Sequence, residues 1–376
     1  MDFFIHTFEA VTWQNLVMMC VGGLLIYLAV KKEFEPNLLL PMGFGTILVN
    51  LPPLSSAIDQ IAGGKLIEGA LSMFFKIGIA TEIMPLLILI AVGAMCDFTP
   101  LLANPKMFLF GLTAQMGIFL TMGLALFLGY DIYEAASIGI IGAADGPTSI
   151  YVSTRFAPNL LGPISVAAYT YMALVPLIQP PVILALTTKN ERRMKMPYAD
   201  RPVSRRMLIL FPILITILGG IVAPASVSLL GFVMFGNLLR VSGVTDRLSN
   251  AAQNELANIV TILLGFAIAA TMTGEKFVNV NTLVIIAMGL VAFVLDTAGG
   301  VLTAKLLNLF LPKDKRINPM IGAAGISAFP MSARTIQRLG QKADPSNHLL
   351  MHAVGANVAG QIGSVLAGGA LLAYLG

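Results

Sequence analysis

One aspartate interrupts a long uncharged run at Ile141-Gly-Ala-Ala-Asp-Gly-Pro-Thr-Ser-Ile150. Gly142, Ala143 and Ala144 before it, and Gly146 and Pro147 after it, are a sequence that breaks a helix. Thr148 and Ser149 add hydroxyls. A carboxylate surrounded by hydroxyls and freed backbone carbonyls is a set of hard oxygen donors. One charge plus neutral oxygens suits a monovalent cation better than Ca²⁺. Na⁺ is the first candidate for Asp145 and a proton the second. A carboxylate that only caps a half helix is the competing structural account.

A second stretch, Ile321-Gly-Ala-Ala-Gly-Ile-Ser327, echoes the first. Each is followed by a Ser-x-Arg triplet, ending at Arg155 and at Arg334. Asn318, Ser327, Arg334 and Asn357 form a polar series around this second interruption. Asparagine offers a neutral carbonyl oxygen to a cation. Arg334 could clamp a carboxylate, or it could merely snorkel to a membrane edge. Tyr169 and Tyr171 lie within one turn of each other in the apolar run Leu160–Thr187. A phenol can ligate a cation or donate a proton, whereas interfacial tyrosines only anchor a span. Tyr171, well inside its run, is the better functional candidate. Glu82, Asp97, Asp296 and His352 also stand in or beside apolar runs, with no role assigned by spacing.

These residues must be positioned by membrane helices. The 376 residues are 57% hydrophobic and 11% charged, against about 25% charged in a soluble domain, and mean hydropathy is +0.84. Runs such as Met107–Gly129 and Leu349–Leu375 reach the roughly 20 apolar residues that a helical span needs. The absence of dyad-alternating segments excludes an outer-membrane barrel. The expected fold is an all-α integral membrane bundle of about nine to eleven passages, with half helices included. The first apolar run reads as a retained span, since Asp2, His6 and Glu9 precede it and no basic leader does. Further breaks are expected near Gly219-Gly220 and Pro224, and at Asp296-Thr-Ala-Gly-Gly300. Ile83–Cys96 reads as a half helix and 63–76 as an interfacial segment. Cys20 and Cys96 read as two buried thiols rather than a bridge.

Residues 189–206 are rich in Lys and Arg, which places that loop in the cytoplasm. It is a topology signal, and it could also dock an acidic soluble partner. Lys31 and Lys32 favour the same side and put the N-terminus outside. The loop divides the chain into membrane halves 1–188 and 207–376. Broken segments at matching positions in two halves predict inverted-repeat-like architecture with a binding site at the breaks. A broken helix survives in lipid only where protein or a wet cavity satisfies its backbone.

No Walker loop, zinc-spaced Cys/His cluster or nucleophile elbow is present. The basic balance belongs to loops between spans and does not indicate nucleic acid. Transport must therefore run on an ion gradient or on chemistry brought by a partner. Three readings fit the residues: a pump subunit driven by a partner, a Na⁺-coupled transporter of a small anion, and a Na⁺/H⁺ antiporter.

Gly142–Thr148, the block Ala167-Ala-Tyr-Thr-Tyr-Met-Ala-Leu-Val-Pro-Leu-Ile-Gln-Pro-Pro181 and the block Asn318-Pro-Met-Ile-Gly-Ala-Ala-Gly325 resemble a known family. It comprises the β subunits of sodium-translocating, biotin-dependent decarboxylases acting on oxaloacetate, glutaconyl-CoA, methylmalonyl-CoA or malonate. Gly93-Ala-Met-Cys-Asp-Phe98, Leu101-Leu-Ala-Asn-Pro105 and Phe34-Glu-Pro-Asn-Leu-Leu-Leu-Pro41 look like the same family, so the resemblance runs nearly end to end. It implies a multi-pass protein of the bacterial inner membrane. That protein decarboxylates carboxybiotin and couples this to Na⁺ export while consuming a proton. The implied partners are a soluble carboxyltransferase, a biotin carrier protein and a small single-span membrane subunit, with homo-oligomers in the complex. The family's essential aspartate and tyrosine match Asp145 and Tyr171. Its polar series matches Asn318, Gly322, Ser327, Arg334 and Asn357. The implied ion ligands are Asp145, Tyr171, Asn318, Gly322 and Asn357; Tyr171 and Ser327 are implied proton relays, and Arg334 the carboxybiotin clamp. Cys96 departs from the small polar residue expected there. The short chain leans away from the oxaloacetate type.

Asp145→Asn removes the only charge in the first break and should abolish Na⁺ transport and decarboxylation together. Full coupled activity in reconstituted vesicles would remove Asp145 from the site.

Overall fold

The structure is a computed structural model that describes residues 11–33, 35–51, 59–62, 65–196, 202–312 and 315–376. Asp2, His6 and Glu9, Gly63 and Gly64, and loop residues 197–201 lie outside the described residues. Among the described residues, eight helices are long and apolar enough to cross a membrane. The pair Ala70–Ile79 and Ile83–Met95, bent by 62°, makes a ninth passage if counted as one broken span. Pro36–Val49 and Ile132–Ala143 are shorter apolar helices. The protein is thus a polytopic all-α membrane bundle, reaching the upper end of the expected range only if half helices count. Its described strands are Gln60–Ala62 and Lys65–Ile67, paired antiparallel.

Seven helices build the centre: α1 (Met116–Phe127), α2 (Ile132–Gly139), α3 (Gly146–Phe156), α4 (Leu161–Leu186), α5 (Val280–Phe310), α6 (Met331–Ala343) and α7 (Leu350–Leu375). Burial sorts the long helices. The span containing α7 is 72% buried and that containing α4 67%, whereas Arg205–Val222 is 11% buried and turns its leucines and isoleucines outward. A helix apolar all round is a core helix or a span. Here the Ala/Gly-rich α7 is central, because small side chains let neighbouring backbones approach.

The expected break at Asp296–Gly300 is absent. α5 is one helix of 31 residues through that segment. Its small residues serve close packing instead. Gly300 lies against the backbone of Gly322, and a Cβ on either glycine would overlap the other's carbonyl. Asp296 is fully buried and points at Gly117 and Gly142. The break at Pro224 is present, between Arg205–Val222 and Val227–Val241. Cys96 is buried, but Cys20 is exposed on its helix, which corrects the expectation of two buried thiols; both are free.

The basic loop is fastened to the second half. Thr188 and Glu191 form a capping box, and Lys305 of α5 pairs with Glu191 at 3.2 Å. Asn318 and Asn347 both donate to the carbonyls of Arg192 and Met194, at 2.8–3.3 Å. Lys195 reaches Asp344 at 3.4 Å. Hydrogen bonds from Ser346, with this lysine, hold the Asp344 carboxyl below the usual carboxylate range. The exposed ion pairs contribute little stability; the buried amides fix the loop's course.

Gly322→Ala should destabilise the bundle by about 1–3 kcal/mol, as overpacking does. It would be read as a lowered melting temperature in detergent, and an unchanged melt would deny the contact with Gly300.

Candidate functional site

The first break starts from a well-capped helix. Asp131 accepts from the Tyr133 and Glu134 amides at 2.7 and 2.9 Å and opens α2. After Gly139 the chain tightens into a 3₁₀ turn, Ile140–Ala143. Ala144 then takes a left-handed conformation, φ 52° and ψ 40°. A residue with a Cβ is strained there by about 1–3 kcal/mol, and such strain gathers at functional sites. Asp145 follows in an extended conformation and is the N-cap of α3.

The Asp145 carboxylate is 5% exposed. Its Oδ2 accepts from Thr148 Oγ1 at 2.6 Å and from Ser364 Oγ at 3.0 Å, while Thr148 N–H points at Oδ1 from 3.5 Å. Ser149 Oγ donates to the Asp145 carbonyl at 2.8 Å. The cap and the cation-site accounts are therefore compatible. The positive end of the helix steadies the carboxylate itself, and the hydroxyls supply oxygens able to turn to an ion.

The second break lies between Met320–Ala323 and α6. Five successive carbonyls, freed from helical bonding, are met by side chains from three other helical segments. Gln179 of α4 donates to Ala323 O at 2.7 Å. Asn357 of α7 donates to Ala324 O at 3.2 Å and to Ile326 O at 2.7 Å. Gln115, just before α1, donates to Gly325 O at 3.3 Å, and Gln361 of α7 donates to Ser327 O. The two breaks then meet directly. Ser327 Oγ donates to Ala143 O at 2.5 Å, and Ser327 N–H points at the same oxygen from 3.3 Å. Asn357, Gln361 and Ser364 lie at i, i+4 and i+7, one face of α7. That face joins the second break to Asp145.

Asp145, Ser327 and Asn357 are thus brought together. Asn357 leaves its buried Oδ1 without a hydrogen-bond partner, an oxygen free to face an ion. Gly322 sits against Gly300 beneath them. Tyr171 is buried between α4 and α5, and its hydroxyl donates to Ile286 O. It is Tyr169 whose ring covers Gly146, next to Asp145. Asn318 is committed elsewhere, its amide to the basic loop and its Oδ1 to Met320 N–H at 3.1 Å. Arg334 is exposed on α6 and forms no ion pair among the described residues. Its sequence counterpart Arg155 is held by Glu82 through two bonds, 2.7 and 3.1 Å.

Sequence reasoning missed Ser364 and Gln361 and gave Gln115 and Gln179 no role. The available signal was the polar i, i+4, i+7 spacing inside an apolar helix, which begins at Asn357.

Two interrupted helices whose freed backbones meet beside one buried carboxylate are the architecture of a membrane transport protein, with the crossing as the candidate site. The family model of the "Na+-transporting oxaloacetate decarboxylase beta subunit" matches residues 14–375. The chain is 50% identical to the glutaconyl-CoA decarboxylase subunit beta of Acidaminococcus fermentans over 369 residues, covering 98% of this chain and 95% of that one. It is 51% identical to the methylmalonyl-CoA decarboxylase subunit beta of Veillonella parvula, with the same coverage. It is 45% identical to the oxaloacetate decarboxylase beta chain of Klebsiella pneumoniae, covering 96% and 94%. The chain belongs to this family of sodium-transporting decarboxylase β subunits. It is a multi-pass subunit of the bacterial inner membrane that works within a decarboxylase complex.

Ser364→Ala removes one donor to Asp145 Oδ2 and one oxygen near it. Apparent Na⁺ affinity should fall several-fold while turnover at saturating Na⁺ changes little. An unchanged Na⁺ titration would make Ser364 a packing residue.

Proposed function

We propose that this subunit decarboxylates carboxybiotin presented by a biotin carrier and uses the reaction to export Na⁺. The hydrogen-bonded crossing of the two breaks at Ser327 and Ala143, with Asp145 within it, carries this reading. Asp145 holds the ion, with the hydroxyls of Thr148 and Ser364 as neutral oxygens; the free Oδ1 of Asn357 lies two turns, about 10.5 Å, away along α7 and would meet the ion at another point of its path. Gly322 keeps the second break tight on α5. Asn318 shapes the cytoplasmic mouth through its hold on the basic loop.

Carboxybiotin is an N-carboxylate. Its C–N bond breaks to release CO₂, the electron pair stays on the ureido nitrogen, and a proton from the protein completes N–H. The site therefore needs an anion clamp, a proton donor and restricted water. Arg334 is free to clamp the carboxylate because it has no acidic partner among the described residues, unlike Arg155. Ser327 and Tyr171 are the proton relays, Ser327 in the crossing itself and Tyr171 on the α5 side. The proton replaces the Na⁺ charge at Asp145 as the ion leaves.

Arg334, Arg338 and Lys342 repeat every fourth residue along α6. Lys342 also lines a cleft of about 250 Å³ with Lys189, Arg192 and Arg193. This basic surface fits an acidic biotin carrier or carboxyltransferase, docked so that biotin reaches Arg334. The greater identity to the acyl-CoA decarboxylase relatives favours an acyl-CoA as the upstream acid. Exporting one or two Na⁺ against ~150 mV takes roughly 3–7 kcal/mol before concentration terms, partly offset by the returning proton. Carboxybiotin cleavage must supply it. A stand-alone anion transporter or an antiporter would give no role to decarboxylation.

Tyr171→Phe keeps the ring and removes the hydroxyl. If Tyr171 relays the proton, carboxybiotin turnover should fall by about 10²–10⁴-fold at every Na⁺ concentration. If it is only a Na⁺ ligand, high Na⁺ restores the rate. Near-normal turnover throughout would exclude both roles. Loss of Na⁺-stimulated decarboxylation on removing the biotin carrier tests the wider reading.

A further inference from the structure

A second buried carboxylate plays no part in the scheme above. Asp296 lies midway along α5 and is 0% exposed. Its Oδ1 accepts from Gly117 N–H at 2.5 Å, which satisfies one of the donors left open in the first turn of α1. Its Oδ2 is buried and has no hydrogen-bond partner. No lysine, arginine or histidine forms an ion pair with it among the described residues. Oδ2 faces Gly142, where a Cβ would lie only 2.5 Å from it. Glycine at 142 therefore leaves room for a carboxylate oxygen that has nothing to bind.

That arrangement is costly if it is only structural. An ionisable group at membrane depth is expensive, and its stranded oxygen forgoes a bond that an apolar side chain would not need. Asp145 makes the contrast plain, since both of its oxygens have partners. Gly142 and Asp145 are the two ends of one turn, so the two carboxylates flank the same strained segment of the first break. The helices packed there, α1, α2 and α5, also carry the buried hydroxyls of Thr121, Ser137 and Thr297, all without partners.

We propose that Asp296 Oδ2 marks a second Na⁺ site, separated from Asp145 by the Ile140–Ala144 turn. The proposal rests on the sodium-pump reading and adds a second ion position to it. The buried, unpartnered oxygen supplies the charge, and the turn with Gly142 at its face is the element that both ions share. Movement of that turn would then be felt at both carboxylates.

The test is equilibrium ²²Na⁺ binding to the purified complex, with choline holding ionic strength constant. Asp296→Asn keeps the side chain's volume and the acceptor for Gly117 N–H, so a purely capping role predicts unchanged binding, which would overturn the proposal. A second ion site predicts one Na⁺ fewer per chain. Asp145→Asn separates the two readings. Loss in Asp296→Asn with full binding in Asp145→Asn would sink the Asp145 assignment and leave this one standing, and the reverse result would do the opposite. Should Asp296→Asn fail to assemble, the melting temperature of Asp145→Asn decides. A melt that still rises with Na⁺ supports the remaining site at Asp296, and a Na⁺-independent melt overturns it.

Discussion

Five consecutive carbonyls, from Ala323 to Ser327, have left the helix inside a membrane bundle, and every one must find a donor. Lipid supplies none. The protein answers with four primary amides, Gln115, Gln179, Asn357 and Gln361, drawn from segments far apart in sequence. Each such amide is buried. Losing Asn357 or Gln115 would strand Ala324, Gly325 or Ile326 at a cost of about 1–3 kcal/mol per carbonyl, whereas Ala323 O and Ser327 O also accept from Ser332 Oγ and Phe329 N–H. The interrupted backbone is thereby held in one geometry. Ser327 is aimed at Ala143 because the carbonyls on either side of it are fixed.

α5 is the second part of the same solution. Both Gly-Ala-Ala turns lean on it, Gly142 against Asp296 and Ala292, Gly322 against Gly300. One continuous helix, with small residues where it meets the turns, thus sets the distance between two broken ones. This explains why the sequence of α5 looks like a break and is not. Glycines that face another backbone and glycines that end a helix have the same composition, and they differ only in what lies opposite.

Charge is distributed in a corresponding way. The two arginines that follow the breaks have opposite fates, Arg155 neutralised by Glu82 and Arg334 left open beside a basic cleft. Among the described residues Asp145 and Asp296 pair with no cation; they meet hydroxyls and amide N–H groups instead. Such groups can stabilise a carboxylate without competing as strongly as a fixed ammonium would for a mobile ion. The basic loop is latched to the second half by Asn318 and Asn347, which fixes the course of its backbone over residues 192–194.

The sequence by itself determined the class of fold, both helix interruptions, the placing of one carboxylate, Asp145, in the first of them and, through its long motifs, the family. These are local properties: apolar length, helix-breaking composition and a charge that lipid does not tolerate. Tertiary structure decided which oxygens surround Asp145. Ser364 and Gln361 stand more than two hundred residues away, and nothing in their own neighbourhood marks them beyond a polar stripe on an apolar helix. It also decided that Asn318 fastens a loop, that Tyr169 rather than Tyr171 lies against Gly146, and that Asp296 keeps one oxygen free. Hydrogen bonds between distant segments depend on how helices pack, and packing at van der Waals distance is fixed by shapes on both sides of a contact. One chain read in order presents only one side at a time.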